Sequence, residues 1–175
     1  MANPLAAYTF EVPDNHRYAI VIPVGLGVSL PIPGYSLGKK ALINTHALVD
    51  TGASGSCISM RFARQFQLKP FSMAGVHSAH GTMIVPRYYV DIYLPNGLFQ
   101  QNMDVTEFMG QQDFDFIIGM NILSQCDVAI TNANAKMIFS FRMPPDYLHI
   151  DYEKILKKNK TGKLQKDNLR KYQRE

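Results

Sequence analysis

Cysteine is scarce in this chain of 175 residues, which has only Cys57 and Cys126. Two cysteines do not make a disulfide framework, and neither belongs to a Cys-x-x-Cys pair of the kind that binds zinc. We therefore expect both to be small, buried, hydrophobic side chains. A nucleophilic role for Cys57 would need a histidine partner, which the sequence does not place.

Long apolar runs are also missing. Residues 19–30 form an apolar stretch that is interrupted by Pro23, Gly25 and Gly27, and no run approaches the length needed to span a bilayer. The N-terminus has no basic segment leading into an apolar one, so we expect no signal peptide and a cytosolic location. No third glycine opens a helix after Gly27, which argues against a dinucleotide site.

Positive charge is concentrated at one end of the chain. Residues 153–175 contain 9 Lys/Arg and 3 Asp/Glu, a net charge of +6, whereas residues 1–152 contain 9 and 11, a net charge of −2. We expect residues 146–175 to be a solvated basic tail, either a frayed helix or disordered. Basic tails bind nucleic acid through phosphates, but few aromatic side chains are interleaved here. Nucleic acid is therefore an alternative partner and not the expected one.

The tripeptide Asp50-Thr51-Gly52 occurs once, and the sequence has no Asp-Ser-Gly. It follows the apolar residues 47–49, so we expect a strand that ends at the Asp50 carboxylate, with Gly52 giving the backbone room to turn. A surface turn has the same composition. Two carboxyl groups that face each other cannot both ionise, and they form an acid/base pair that one alone cannot make. A chain of this length forms one domain, so a second carboxylate would come from a second copy.

A second motif lies downstream, where residues 114–118 predict a buried strand that ends at Gly119, 69 positions after Asp50. Ile122 and Leu123 then predict a short helix. With these two motifs the chain resembles the retropepsin-like aspartic proteases, the family of retroviral and retrotransposon proteases and their single-domain cellular relatives. Members of that family have a strand that leads into an Asp-Thr-Gly-Ala turn, and later an apolar-apolar-Gly segment followed by a helical turn. The resemblance covers about residues 19–141, and it extends to bacterial-type members through residues 127–132 and 139–141.

This resemblance implies a mainly β fold, a closed barrel of the acid-protease type with one or two short helices, assembled as a homodimer. The protease domain would span residues 19–145, preceded by an N-terminal extension, residues 1–18, and followed by the basic tail, residues 146–175.

The resemblance also implies a function, that of an aspartic endopeptidase. Asp50 of each subunit would hold one water that attacks a peptide bond, Thr51 would hydrogen-bond between subunits, and Gly52 would offer its carbonyl to an extended substrate. The expected partners are a second copy and a peptide or protein, with no membrane, cofactor or metal. A dimeric peptide-binding module without turnover is the alternative. The candidate substrate-binding residues are Ala53, Val76, Ala79, Gly81, Ile84, Ile117 and Ile118.

Residues 72–88 predict a hairpin, because two extended arms flank a tip of small residues at 78–81. In chain position the hairpin corresponds to the family's flap, which must open to admit a peptide and close to exclude water. An ordinary surface hairpin has the same pattern. His77 and His80 could suggest zinc, but they face opposite ways on a strand and lack a third ligand.

The other elements follow from hydrophobic periodicity and turn residues. We predict strands at 18–30, 41–49, 88–94 and 100–108, a helix at 59–67, and turns at 31–38 and 95–97. Retroviral members usually pair an acidic residue at the position of Ser54 with an arginine at the position of Met120, so here other contacts must hold the dimer. Residues 139–141 could supply an interface strand, and the role of residues 8–12 stays open.

Overall fold

The computed structural model describes residues 6–14, 18–28, 42–78, 81–109, 113–145 and 149–158. The chain divides into two compact units, residues 1–145 and 146–175. The predicted turn at 31–38 lies outside the described residues.

Ten strands and two short helices form the described part of the first unit. The predicted strands at 18–30, 41–49 and 100–108 are present with shifted ends, and the predicted helix at 59–67 is shorter than expected. The elements are β1 (Ala6–Val12), β2 (Ile20–Val28), β3 (Ile43–Val49), β4 (Cys57–Ser59), α1 (Met60–Gln65), β5 (Ser72–Ser78), β6 (Gly81–Tyr93), β7 (Phe99–Phe108), β8 (Phe116–Ile118), α2 (Met120–Leu123), β9 (Asp127–Ala133) and β10 (Lys136–Met143).

Seven strands form one sheet in the order β2-β3-β8-β4-β7-β6-β5. β2 also pairs with β6, from Gly25 opposite Tyr93 to Val28 opposite Val90. This pairing closes the sheet into a ring and leaves β5 outside it as one arm of a hairpin. The core inside the ring is apolar and includes Leu26, which is fully buried. The predicted closed β-barrel is confirmed.

The strand β6 corrects one prediction, because residues 82–88 and 88–94 were expected to form two separate strands. They form one strand of 13 residues. No glycine or proline turn separates the two halves, and the only irregularity is a register shift between Val90 and Ile92.

A second sheet has three strands in the order β1-β10-β9. β10 lies in the middle, with Phe139 opposite Phe10 on one side and opposite Ile130 on the other. The expectation that residues 139–141 could pair with a partner subunit is therefore wrong, because both edges of β10 are already occupied. Residues 8–12 belong to this sheet as part of β1.

In the second unit, residues 152–158 are helical. Asp151 caps this segment, because its Oδ1 accepts a hydrogen bond from the Lys154 amide at 3.0 Å. The rest of the predicted tail, residues 159–175, lies outside the described residues. Among the helices that the structure describes, none is both long enough and apolar enough to cross a membrane.

Candidate active site

The site lies where β8 passes between β3 and β4. β8 runs parallel to β3, with Ile118 opposite Val49, and antiparallel to β4, with Ile117 opposite Cys57. The two motifs that are 69 positions apart in the sequence are thereby joined by strand pairing.

Asp50 follows directly after β3 and is held by backbone hydrogen bonds. Its amide donates to the Ile118 carbonyl at 3.0 Å, and its own Oδ1 accepts from the Gly52 amide at 2.8 Å. Asp50 is half-buried, whereas Thr51 and Gly52 are exposed. A Cβ at position 52 would lie 3.2 Å from Asp50 Oδ1, which is closer than ordinary contact. The turn therefore aims the carboxylate and leaves its approach open to solvent.

Gly119 is required where β8 leaves the crossing. A Cβ there would lie 2.5 Å from the Gly55 carbonyl oxygen and 2.9 Å from that of Ala53. The Met120 amide donates to the Ala53 carbonyl at 2.8 Å. The second motif thus packs backbone to backbone against the loop that follows Asp50, and no larger residue fits.

Ser56 fastens the same crossing, and sequence reasoning missed it. Its hydroxyl is buried, accepts a hydrogen bond from the Gly119 amide at 3.1 Å, and donates to Asn121 Oδ1 at 2.8 Å. A lone serine and a lone asparagine 65 positions apart give no sequence signal that could have found this link.

Asp115 is a second carboxylate in this region, and it was not among the site residues predicted from the sequence. Oδ1 accepts from Ser59 Oγ at 2.6 Å and from Arg61 Nη2 at 2.8 Å, and Oδ2 accepts from Thr45 Oγ1 at 2.8 Å. Burial acts to raise the pKa of Asp115, but these hydrogen bonds and the Arg61 charge outweigh it and hold the pKa below its ordinary value. Asp115 is therefore an ionised brace between β3, β4 and β8.

Ile117 and Ile118, two predicted substrate-binding residues in β8, point to opposite faces of the strand. Ile117 is half-buried, whereas Ile118 is 2% exposed and lines an apolar cavity of about 10 Å³ together with Val49, Phe139 and other core side chains. Ile118 thus belongs to the core, and Ile117 is the member of the pair left for a pocket wall. Ala53 is half-buried on the Asp50 loop.

Val76 and Ile84, two predicted substrate-binding residues in the hairpin of β5 and β6, also lie on different faces. Val76 lies opposite Met83, and Ile84 lies opposite Gly75, one position along. Because neighbouring residues of a strand point to opposite faces, Val76 and Ile84 face opposite sides of the hairpin. Gly81 has a φ of 115° at the end of the tip, which favours glycine. Ala79 lies outside the described residues.

Both cysteines are half-buried. Burial raises the pKa of the Cys57 thiol, with a further rise from the nearby Asp50 charge that a hydrogen bond to Thr106 opposes. Burial and the charge of Asp127 raise the pKa of Cys126 to about 11. Neither thiol is set up as a nucleophile near neutral pH. Within the described ranges, no three His, Cys, Asp or Glu residues cluster as a metal site.

Residues 41–125 match the model of a protein family described as "gag-polyprotein putative aspartyl protease". That span contains both Asp50 and Gly119, the two residues that the crossing brings together. This segment of the chain therefore matches an aspartyl protease family, and the fold around it is retropepsin-like. The predicted resemblance to the retropepsin-like aspartic proteases is confirmed.

One solved structure agrees with the retropepsin-like fold. The retropepsin-like chain is similar to the crystal structure of a retropepsin-like aspartic protease from Rickettsia conorii, with a TM-score of 0.50, 12% identity, and coverage of 82% of this chain and 97% of that one. The retroviral protease-like domain of Ddi1 from Leishmania major also matches, with a TM-score of 0.39, 17% identity, and coverage of 68% and 93%. No curated protein matches the sequence.

Proposed function

We propose that this retropepsin-like chain is an aspartic endopeptidase that acts as a homodimer. The observation that carries the proposal is the intact Asp50-Thr51-Gly52 turn, with the Asp50 carboxylate aimed by the Gly52 amide and still half-exposed. A carboxylate used only for structure would be expected to resemble Asp115, whose two oxygens are both hydrogen-bonded within the fold. The cytosolic location expected from the sequence is part of the same proposal.

The chemistry needs two Asp50 carboxyl groups with one proton between them. The ionised carboxylate takes a proton from water as the water oxygen attacks the carbonyl carbon of a peptide bond, and the protonated carboxyl group donates to the carbonyl oxygen. The tetrahedral intermediate then collapses and the carbon–nitrogen bond breaks. The amine leaves with the proton that the dyad took from water, and one hydroxyl of the intermediate gives its proton to the dyad as the carboxylic acid forms. The dyad returns to its singly protonated state, so no cofactor is consumed.

The second carboxylate has to come from another copy of the chain. Asp-Thr-Gly occurs once in the sequence, and Asp115 is committed to Ser59, Arg61 and Thr45. A twofold axis beside Asp50 would place identical turns face to face, as closed dimers place any pair of identical residues near their axis.

Turnover of a peptide library by the purified chain, between about pH 4 and pH 7, tests this function. Asp50→Asn keeps the size of the side chain and its contact with the Gly52 amide, and it should abolish cleavage. Asp113→Asn alters an exposed carboxylate just before β8 and should leave cleavage unchanged. Peptide binding by wild type without any cleavage would instead support the binding-module alternative.

Mixing wild-type and Asp50→Asn subunits tests the shared dyad directly. If each active unit needs two intact aspartates, an equal mixture after subunit exchange should retain about one quarter of the wild-type activity, because only that share of dimers is wild type on both sides. Activity that falls in simple proportion to the wild-type fraction would show that each subunit works alone, and would overturn the dyad.

A further inference from the structure

A row of four side chains runs across the seven-stranded sheet beside Asp50. Leu48 on β3 lies opposite Ile117 on β8, and Ile117 lies opposite Cys57 on β4. Cys57 in turn lies opposite Thr106 on β7. Paired residues of neighbouring strands lie on the same face of a sheet, so these four side chains form one strip, which we call the polar strip after its Cys57 and Thr106 end.

The polar strip lies on the face of the sheet that points away from the core. Its four side chains are half-buried. The residues next to them on the same strands point the other way and are at most 2% exposed: Ala47, Phe116, Ile118, Ile58 and Val105. The strip is therefore a partly open surface that a ligand can reach.

Asp50 shares the face of the polar strip. Its amide donates to the Ile118 carbonyl, so the pairing of β3 with β8 continues to this residue. Asp50 is two positions after Leu48, and side chains two apart along a strand lie on the same face. Burial raises the pKa of the Cys57 thiol, the hydrogen bond to Thr106 lowers it, and the charge of Asp50 raises it further. A peptide held at Asp50 would thus lay a neighbouring side chain on the strip.

The Thr106 hydroxyl can still bond a ligand. Cys57 Sγ and Thr106 Oγ1 are 3.2 Å apart and share a hydrogen bond. A thiol is a weak donor and a weak acceptor, whereas a hydroxyl has one donor and two acceptor positions. Among the residues that the structure describes, the Thr106 hydroxyl has no other partner. At least one of its hydrogen-bonding positions is therefore open.

The chemistry around the strip favours an uncharged ligand group. The row continues to Arg87 on β6, opposite Thr106, but that guanidinium bonds to Asp104 and its central carbon lies 5.1 Å from the centre of the Phe71 ring. The strip itself has no charged side chain, so a charged group would lose water there without gaining a counter-ion. A carboxylate would in addition be repelled by Asp50.

We propose that the polar strip binds a substrate side chain close to the cleaved bond, and that Thr106 makes it select an amide or hydroxyl side chain over an aliphatic one of the same shape. This inference rests on the proposed peptidase function and names its substrate class. Bound there, asparagine packs its carbon atoms against Ile117 and hydrogen-bonds to Thr106. Leucine has nearly the same shape, but it would cover the Thr106 hydroxyl without bonding to it, which is unfavourable.

Cleavage of matched peptides by the full chain tests the selection. Starting from a peptide that wild type cleaves, each position is replaced in turn by asparagine and by leucine. At a position close to the cleaved bond, kcat/KM should be about 10-fold higher with asparagine. Thr106→Val keeps the shape of the side chain without its hydroxyl and should abolish that preference, whereas Thr106→Ser keeps the hydroxyl and should retain it.

Two further variants complete the test. Thr131→Val removes an exposed hydroxyl on β9 and should leave the preference unchanged. Thr106→Ala is a second variant without the hydroxyl, in case valine disturbs the sheet, and circular dichroism checks the folding of each. A preference that survives in Thr106→Val or Thr106→Ala, or a wild type that favours leucine at every position, would overturn the inference.

Peptide binding separates this inference from the proposed function. Asp50→Asn keeps the polar strip, and fluorescence polarisation measures its affinity for the labelled asparagine and leucine peptides. If wild type cleaves nothing, but Asp50→Asn prefers asparagine and loses this preference when Thr106→Val is added, the strip stands and the peptidase assignment fails. If wild type cleaves both peptides equally well, the peptidase stands and the strip does not select. If the peptides are neither cleaved nor bound, both proposals are wrong.

Discussion

The crossing of β8 and the hairpin of β5 and β6 are built in opposite ways. At the crossing, backbone groups from distant parts of the chain bond directly, and Ser56, Asp115 and Ile118 are buried. In the hairpin, the arms pair with each other, and Met73 and Ile84 are 56% and 75% exposed. The first region fixes the position of one carboxylate, and the second presents side chains to whatever approaches. Mutations should therefore be costly at the crossing and mild in the hairpin.

The largest expected effect in this comparison is that of Gly119→Ala. The new Cβ would meet two backbone carbonyl oxygens, at 2.5 Å and 2.9 Å, and the backbone on either side has little freedom to move. We expect a loss of about 3 kcal/mol or more in the free energy of unfolding, measured with urea. Gly55→Ala is the control, since a Cβ there meets nothing within 4 Å, and it should be nearly neutral. Equal losses in the two variants would show that the crossing is not close-packed.

Asp115→Asn should have the next largest effect. It keeps the shape of the side chain but removes the charge that Arg61, Ser59 and Thr45 satisfy, and we expect a loss of about 2–4 kcal/mol near neutral pH. Asp104→Asn breaks an ion pair with Arg87 in which the carboxylate side chain is 40% exposed, compared with 13% for that of Asp115, and it should cost less than about 1 kcal/mol.

The pH dependence of the Asp115 effect has a definite sign. Because the pKa of Asp115 in the folded protein lies below its ordinary value of 3.8, the ionised form stabilises the fold above that pH, and the contribution is lost as pH falls through the lower folded value. The difference between wild type and Asp115→Asn in urea unfolding should thus be constant from neutral pH down to about pH 5 and then shrink. A difference that grows on acidification would contradict the ionised brace.

The smallest expected effect in this series is that of Ile84→Ala in the hairpin. The side chain is 75% exposed, so we expect a change in stability below about 0.5 kcal/mol. Ile118→Ala makes the same truncation at the crossing, where the side chain is 2% exposed, and should cost about 2–5 kcal/mol. If the two variants unfold at similar temperatures, the crossing and the hairpin do not differ in packing as described.

Local sequence predicted the parts of this protein that local residues determine. Asp50 and Gly119 were found because each ends an apolar strand in a short, unusual motif. The bonds of Ser56 to Gly119 and Asn121 were missed, because they join residues more than sixty positions apart. Ile118 points into the core because of its pairing with Val49 on β3, and pairing with a distant strand could not be predicted from local sequence.

The order of strands in the three-stranded sheet could not be predicted from local sequence either. Residues 139–141 were predicted to supply a strand, but the central position of that strand, β10, depends on β1 and β9, which pair with it on either side. Edge and centre are properties of the assembled sheet, since any of its three strands could satisfy the same alternating pattern.

The boundary at Pro145 divides the charge as well as the chain. Residues 1–145 contain 9 Lys/Arg and 9 Asp/Glu, whereas residues 146–175 contain 9 and 5. The formal charge of +4 and the isoelectric point of about 9.0 therefore originate in the second unit. A cut near this boundary would release a first unit without net formal charge, which would no longer bind a cation exchanger, so ion-exchange chromatography can follow trimming of the chain without an antibody or a tag.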